Sequence, residues 1–213
     1  MIKIVSFDIG GTLITRTKED SLLKTLSEML PVNKEKLKEN YIKCYICKQQ
    51  SFESFCQQLQ IKNPEYVLQI IDQYYRNKAL PTVYDDVYTA LNNLKNMGKT
   101  MITISNMSYR NTSCLKSYGI QHFFSAEIYS YEVGYKKPDL RIFRYVEELF
   151  NIKPDEILHV GDSVKSDYHG ARLACWNSIL LNRKNNLLNY EVIPEINVIN
   201  NLDLLCKLIE KMY

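Results

Sequence analysis

The stretch from Lys3 to Leu13 constrains the fold more than any other. The apolar-rich run Ile4-Val5-Ser6-Phe7 ends abruptly at Asp8, and Gly10, Gly11 and Thr12 follow. So short and apolar a run suits a strand buried on both faces of a parallel sheet. An acidic residue at its C-terminal end stands where open α/β sheets place ligand chemistry. The glycines allow a sharp turn or a close approach to a ligand. Taken alone, an Asp-x-Gly-Gly turn is most simply a strand end closed by an Asx turn, so the rest of the chain has to decide its meaning.

After Leu13 the periodicity becomes helical and stays so to about residue 80. Leu22, Leu23, Leu26, Met29 and Leu30 recur at helical spacing up to Pro31. Asn33 can cap a second helix carrying Leu37, Tyr41, Cys44 and Tyr45. Ser51 can cap a third with Phe52, Phe55, Cys56 and Leu59. Asn63-Pro64 opens a fourth with Val67, Ile70, Ile71 and Tyr74. Four helices with no strand between them imply a small helical subdomain, residues 15–80, inserted into a core made of residues 1–14 and 81–213.

From residue 81 strands and helices alternate. Thr100–Ser105, Ala126–Ser130, Ile157–Val160, Ser178–Leu181 and Asn197–Ile199 read as strands. Helices are expected from Tyr84-Asp85 to Gly98, in a short run ending at Tyr118-Gly119, over Pro138–Phe150 and Val164–Cys175, and from Leu202 to Met212. This alternation predicts an α/β fold, a Rossmann-like doubly wound parallel sheet with right-handed crossovers, beside the all-helical subdomain.

Polar residues collect at the predicted strand ends: Asp8 after the first, Ser105-Asn106 after the second, and Gly161-Asp162 after a later one, with Asp167 following. Lys137 lies in the loop before Pro138. A doubly wound sheet brings such ends to one edge. Three carboxylates gathered there need a cation, and hard oxygen donors without His or Cys favour Mg²⁺. A cleft with Mg²⁺, one lysine and hydroxyl or amide donors suits a phosphoryl group.

The rest of the composition adds limits. With 213 residues, 46% of them hydrophobic, the chain can build one core with an insertion. No apolar run reaches the roughly 18 residues of a bilayer span, and the N-terminus meets charge too early for a signal peptide. These features lead to the expectation of a cytoplasmic protein without a membrane partner. The net charge of +3 gives no reason to invoke nucleic acid; the excess lies in residues 15–80, with 11 Lys/Arg against 8 Asp/Glu. The six cysteines, Cys44-x-x-Cys47 included, fall in apolar-periodic segments and read as small buried hydrophobes. A monomer or a homodimer is expected.

The order of these motifs resembles the haloacid dehalogenase superfamily. Asp8-Ile9-Gly10-Gly11-Thr12 resembles its first motif, Ile102-Thr103-Ile104-Ser105-Asn106 the second, Lys136-Lys137-Pro138-Asp139 the third, and Gly161-Asp162-Ser163-Val164-Lys165-Ser166-Asp167 the fourth. The resemblance covers nearly the whole chain, and in that family the helical insertion is a cap. It implies that Asp8 is a nucleophile forming an aspartyl-phosphate. Mg²⁺ would be held by Asp8, Asp162 and the carbonyl of Gly10, with Asp167 supporting its water shell. Ser105 and Lys137 would bind phosphoryl oxygens, Lys137 also neutralising Asp8, with Thr12 and Asn106 assisting. The substrate would be a small phosphorylated molecule.

The chain departs from the family at Gly10, where family phosphatases carry a second Asp that serves as acid and base. Its carbonyl can still contact a metal, but glycine carries no proton. Such catalysis contributes roughly 10²–10⁴-fold, so simple alkyl phosphates should be poor substrates. Four readings follow: a phosphohydrolase for good leaving groups or with a proton donor from the cap, a phosphonate hydrolase using a cap lysine, a carbon–halogen hydrolase, or a non-catalytic binding or regulatory protein. The survival of Asp162 and Asp167 disfavours the third, and the intact charged set disfavours the fourth.

Overall fold

The computed structural model describes residues 1–16, 21–111, 114–183 and 197–211. Among the described residues six strands, β1 (Ile4–Phe7), β2 (Thr100–Ser105), β3 (Ala126–Tyr129), β4 (Ile157–Gly161), β5 (Asn177–Leu181) and β6 (Val198–Ile199), form one sheet ordered β3-β2-β1-β4-β5-β6. Every pairing is parallel. The chain steps outward from β1 to β2 and β3, then crosses back to put β4 on the other side of β1. The reversal in strand order therefore falls between β1 and β4, and Asp8 and Asp162 each follow the last residue of one of those strands.

The sheet is covered on both faces, and alternation along the strands divides the core. Val5, Phe7, Leu158, Val160, Ile179 and Leu181 face one apolar cluster, which α5 (Val87–Asn96) and α10 (Leu205–Lys211) complete. Ile4, Ile102, Ile104 and Ile157 face the other, closed by α8 (Leu140–Phe150), α9 (Gly170–Leu173) and Trp176.

A third cluster belongs to α1 (Leu22–Met29), α2 (Lys34–Tyr41), α3 (Phe52–Gln58) and α4 (Pro64–Asn77), with Leu26, Leu37, Tyr45, Phe55 and Ile71 at its centre. Asn33, Ser51 and Asn63 cap α2, α3 and α4 through their side chains, as the sequence predicts, and Pro64 opens α4. Helix α2 runs on into a wider π-type turn, Ile42–Ile46, which meets the sheet-bearing part of the chain. There the Ile46 carbonyl accepts from Ser130 Oγ at 2.7 Å.

Some expected boundaries differ. Val164–Cys175 is a π-type turn over Val164–His169 followed by α9. Cys175, expected inside, is exposed and takes a left-handed conformation (φ 64°) just beyond α9. Cys44, Cys47 and Cys56 are buried free thiols, as expected. Met212 and the side chain of Cys114 lie outside the described residues. Among these residues no helix is long and apolar enough to cross a membrane.

Candidate active site

Three strand ends meet as the topology requires. Lys137 is fully buried, and its ammonium donates to Asp8 Oδ1 (2.9 Å) and the Ile104 carbonyl (2.6 Å), with Asp167 Oδ1 at 2.6 Å. An ammonium has three N–H donors, and here all three are engaged. Burial alone would lower the Lys137 pKa, but the Asp167 and Asp8 charges outweigh it and raise it. Lys137 therefore stays cationic and holds β1, β2 and the turn after β4 together electrostatically.

Asn106 lines the cavity and also braces Lys137. Its Oδ1 accepts from the Lys137 amide at 2.7 Å, and its Nδ2 donates to the Lys137 carbonyl at 2.8 Å. Ser105, the last residue of β2, is buried and lines the cavity directly. Thr12 is wholly buried, and its hydroxyl has no hydrogen-bond partner among the described residues. Its carbonyl instead accepts two bonds from Arg183, which also grips Asp86 with both carboxylate oxygens. That clamp secures the turn after β1.

Asp167 is charged. Burial pushes its pKa up, but Lys137 and the His159 hydrogen bond outweigh that and leave it well below the usual range. Its Oδ2 also accepts the Ser163 amide at 2.9 Å. Gly161 makes this placement sterically feasible: a Cβ there would lie 2.3 Å from Asp167 Cγ. Gly11, with φ +83°, plays the same part for Asp162, whose Oδ2 a Cβ would approach to 2.3 Å. Asp162 has its pKa raised to about 6, first by burial and then by Asp8 and Asp167, against the opposing charge of Arg16.

Sequence reasoning missed two contributors. His159 bridges Ser6 Oγ (3.0 Å at Nδ1) and Asp167 Oδ1 (3.3 Å at Nε2). Burial and the Lys137 charge lower its pKa, so the neutral ring donates to Asp167. Its signal was a polar residue within the apolar strand Ile157-Leu158-His159-Val160, in register with the equally out-of-place Ser6. The second is Arg16, whose Nε donates to the Gly10 carbonyl at 2.7 Å and whose Nη2 donates to Asp162 Oδ1 at 2.8 Å. No spacing rule singles out an arginine at that position.

Asp8, Asp162 and Asp167 each offer an oxygen, all within 4.8 Å of one another. Asp8 Oδ2 is buried without a hydrogen-bond partner among the described residues. An orphaned, buried carboxylate oxygen beside two further carboxylates and a backbone carbonyl is a donor set for a hard divalent cation. The site opens into a cavity of about 860 Å³, with Asp8, Ser105 and Lys137 on the sheet side and Tyr41, Tyr74 and Tyr75 on the helical side. Its size matches a site for a small molecule.

A family model described as haloacid dehalogenase-like hydrolase matches residues 2–174. The chain is 28% identical over 136 residues to a phosphoserine phosphatase of Thermus thermophilus, covering 63% of this chain and 55% of that one. It is 31% identical over 122 residues to a glyceraldehyde 3-phosphate phosphatase of Methanopyrus kandleri, covering 56% and 52%. The chain thus spans about half the length of the curated relatives it matches. A 2-haloacid dehalogenase structure from Pseudomonas syringae superimposes with a TM-score of 0.70 over 100% of both chains at 21% identity, a likeness of fold.

Proposed function

This chain belongs to the haloacid dehalogenase-like hydrolase family, and we propose that it is a Mg²⁺-dependent phosphohydrolase acting on a small phosphorylated molecule through an aspartyl-phosphate on Asp8. The observation that carries this reading is the state of Asp8. One oxygen is neutralised by Lys137, and the other is buried beside Asp162 without a hydrogen-bond partner among the described residues. The relatives named as phosphatases support the same chemistry.

Asp8, Asp162 and the Gly10 carbonyl, with Asp167 behind them, would hold Mg²⁺, which supplies Lewis-acid polarisation of the phosphoryl oxygens. A carboxylate oxygen of Asp8 attacks phosphorus as the ester P–O bond breaks, and water then cleaves the acyl phosphate to free Asp8 and orthophosphate. Ser105 orients the phosphoryl group. Lys137 offsets the charge of Asp8 through their direct contact, and Asn106 positions Lys137. Thr12 acts through the turn, since its hydroxyl is buried beneath it. Residues 15–80 form a cap that excludes water and selects the leaving group, over a core of residues 1–14 and 81–213.

Gly10 offers no proton to the departing oxygen. Substrates whose leaving groups are stable as anions, acyl and aryl phosphates, are therefore favoured, and alkyl monoesters should turn over roughly 10²–10⁴-fold more slowly. A phosphate-release screen with Mg²⁺ across acyl phosphates, aryl phosphates, alkyl monoesters and phosphonates tests this. The expected result is turnover of the first two classes, abolished in Asp8→Asn. Silence across all classes, or unchanged activity in Asp8→Asn, overturns the proposal.

A further inference from the structure

Arg16 approaches the three oxygens that the metal reading assigns to Mg²⁺. Its Nε is bonded to the Gly10 carbonyl at 2.7 Å, its Nη2 to Asp162 Oδ1 at 2.8 Å, and Nη2 lies 3.7 Å from Asp8 Oδ2. The guanidinium lies among the carboxylates at the place where a divalent cation would gather the same atoms. Charge explains why it goes there. Lys137 satisfies Asp167 and one oxygen of Asp8. Negative charge remains on Asp162 and on Asp8 Oδ2, and among the described residues Arg16 is the cation at those two groups.

Gly10 permits the pose. A Cβ on residue 10 would already touch Arg16, at 3.6 Å from Nε and 3.8 Å from Cγ, so a longer side chain would compete for the space that the arginine fills. A Cβ alone would make only ordinary van der Waals contact there, so the glycine leaves room beside Arg16, and only a longer side chain at residue 10 would crowd it. The Arg16 side chain is 57% exposed and lines the same cavity as Ser105 and Lys137, so it has a path out toward bound substrate.

We infer that Arg16 is a tethered cation occupying the divalent-metal position, and that Mg²⁺ binds only by displacing it. The inference rests on the metal reading proposed above. It makes metal loading an exchange: two hydrogen bonds from a guanidinium break, and Mg²⁺ takes over their acceptors. The displaced side chain, at the cavity wall, is then available to a phosphoryl oxygen. A bound phosphate ester and Mg²⁺ would consequently favour each other, since each prefers Arg16 out of the carboxylate cluster.

Isothermal titration of Mg²⁺ into the full chain tests the exchange. In Arg16→Gln, and in Arg16→Met as a second neutral variant, the affinity should rise by roughly ten- to a hundredfold, the worth of the charge-assisted bonds no longer broken. Arg16→Lys, which keeps a tethered positive charge, should stay nearer the wild type. Equal or weaker Mg²⁺ binding in both neutral variants, with the wild type still binding and Asp162→Asn losing it, overturns the inference and leaves the metal reading standing. Absence of Mg²⁺ binding in the wild type and both neutral variants, with all of them folded by circular dichroism, overturns both.

Discussion

Helices α1–α4 bury neutral groups, whereas the cleft at the ends of β1, β2 and β4 buries charge. In the helical layer, burial drives titratable groups to their uncharged forms: the Cys44 thiol is pushed up to about 12, and Tyr45 is raised in the same way. In the cleft, Asp167 and Lys137 feel a comparable desolvation, yet each stays ionised because the other lies 2.6 Å away. The first region resembles any helical core and tolerates shape-conserving exchange. The second holds together only while its charges remain matched. A buried ion pair is a poor route to stability, and its presence at a strand-order reversal fits the chemistry proposed for this cleft.

The sharpest way to break this contrast is to remove one member from each region. Lys137→Ala leaves Asp8 and Asp167 without their shared cation and should cost about 3–5 kcal/mol in urea unfolding. Phe55→Ala should cost a similar 3–5 kcal/mol through the cavity it opens. The two deficits should respond differently to acid. The Lys137 deficit shrinks as the pH falls, because without the lysine burial raises Asp167 and protonation relieves it, while the Phe55 deficit does not change. Parallel pH profiles would erase the distinction between the regions.

A smaller effect concerns Asp162. Its folded pKa of about 6 lies above the ordinary 3.8. Between these values the folded chain holds a proton that the unfolded chain has released. Stability from this group is therefore greatest at low pH and is lost as the pH rises through that window, by at most roughly 3 kcal/mol. Urea melts in chelator should show this slope in the wild type and its loss in Asp162→Asn. The smallest effect belongs to the helical layer: Asn33→Ala removes the cap of α2 and should cost about 1 kcal/mol, with Mg²⁺ affinity unchanged by titration.

Much of this architecture was legible before folding. Residues 100–105 alternate to feed both faces of a sheet, and their limits match β2. Asn33, Ser51 and Asn63 stand one residue ahead of their helices because a side-chain oxygen there satisfies amides that no helix can. The helix expected over Val164–Cys175 was less legible. Its first part widens into a π-type turn as Ser163 and Asp167 meet through the Ser163 amide, a local demand of the site that periodicity does not register. Asn106 was legible as a polar strand-end residue, but its engagement with the Lys137 main chain was not, since the partner lies 31 residues on.

The sequence by itself pointed to the strands, the caps and the four charged residues Asp8, Lys137, Asp162 and Asp167 in the segments that follow the strands, because each rests on local periodicity or on the order of motifs. Only the tertiary structure decided how charge is shared among them. Arg16 meets Asp162 across 146 residues of chain, and Lys137 meets Asp8 across 129. Coulomb energy depends on distance in space, and a doubly wound sheet sets those distances only once β4 has crossed back beside β1. Gly10 shows the difference most plainly: in the chain it is a missing acid, and in the fold it leaves room beside an arginine.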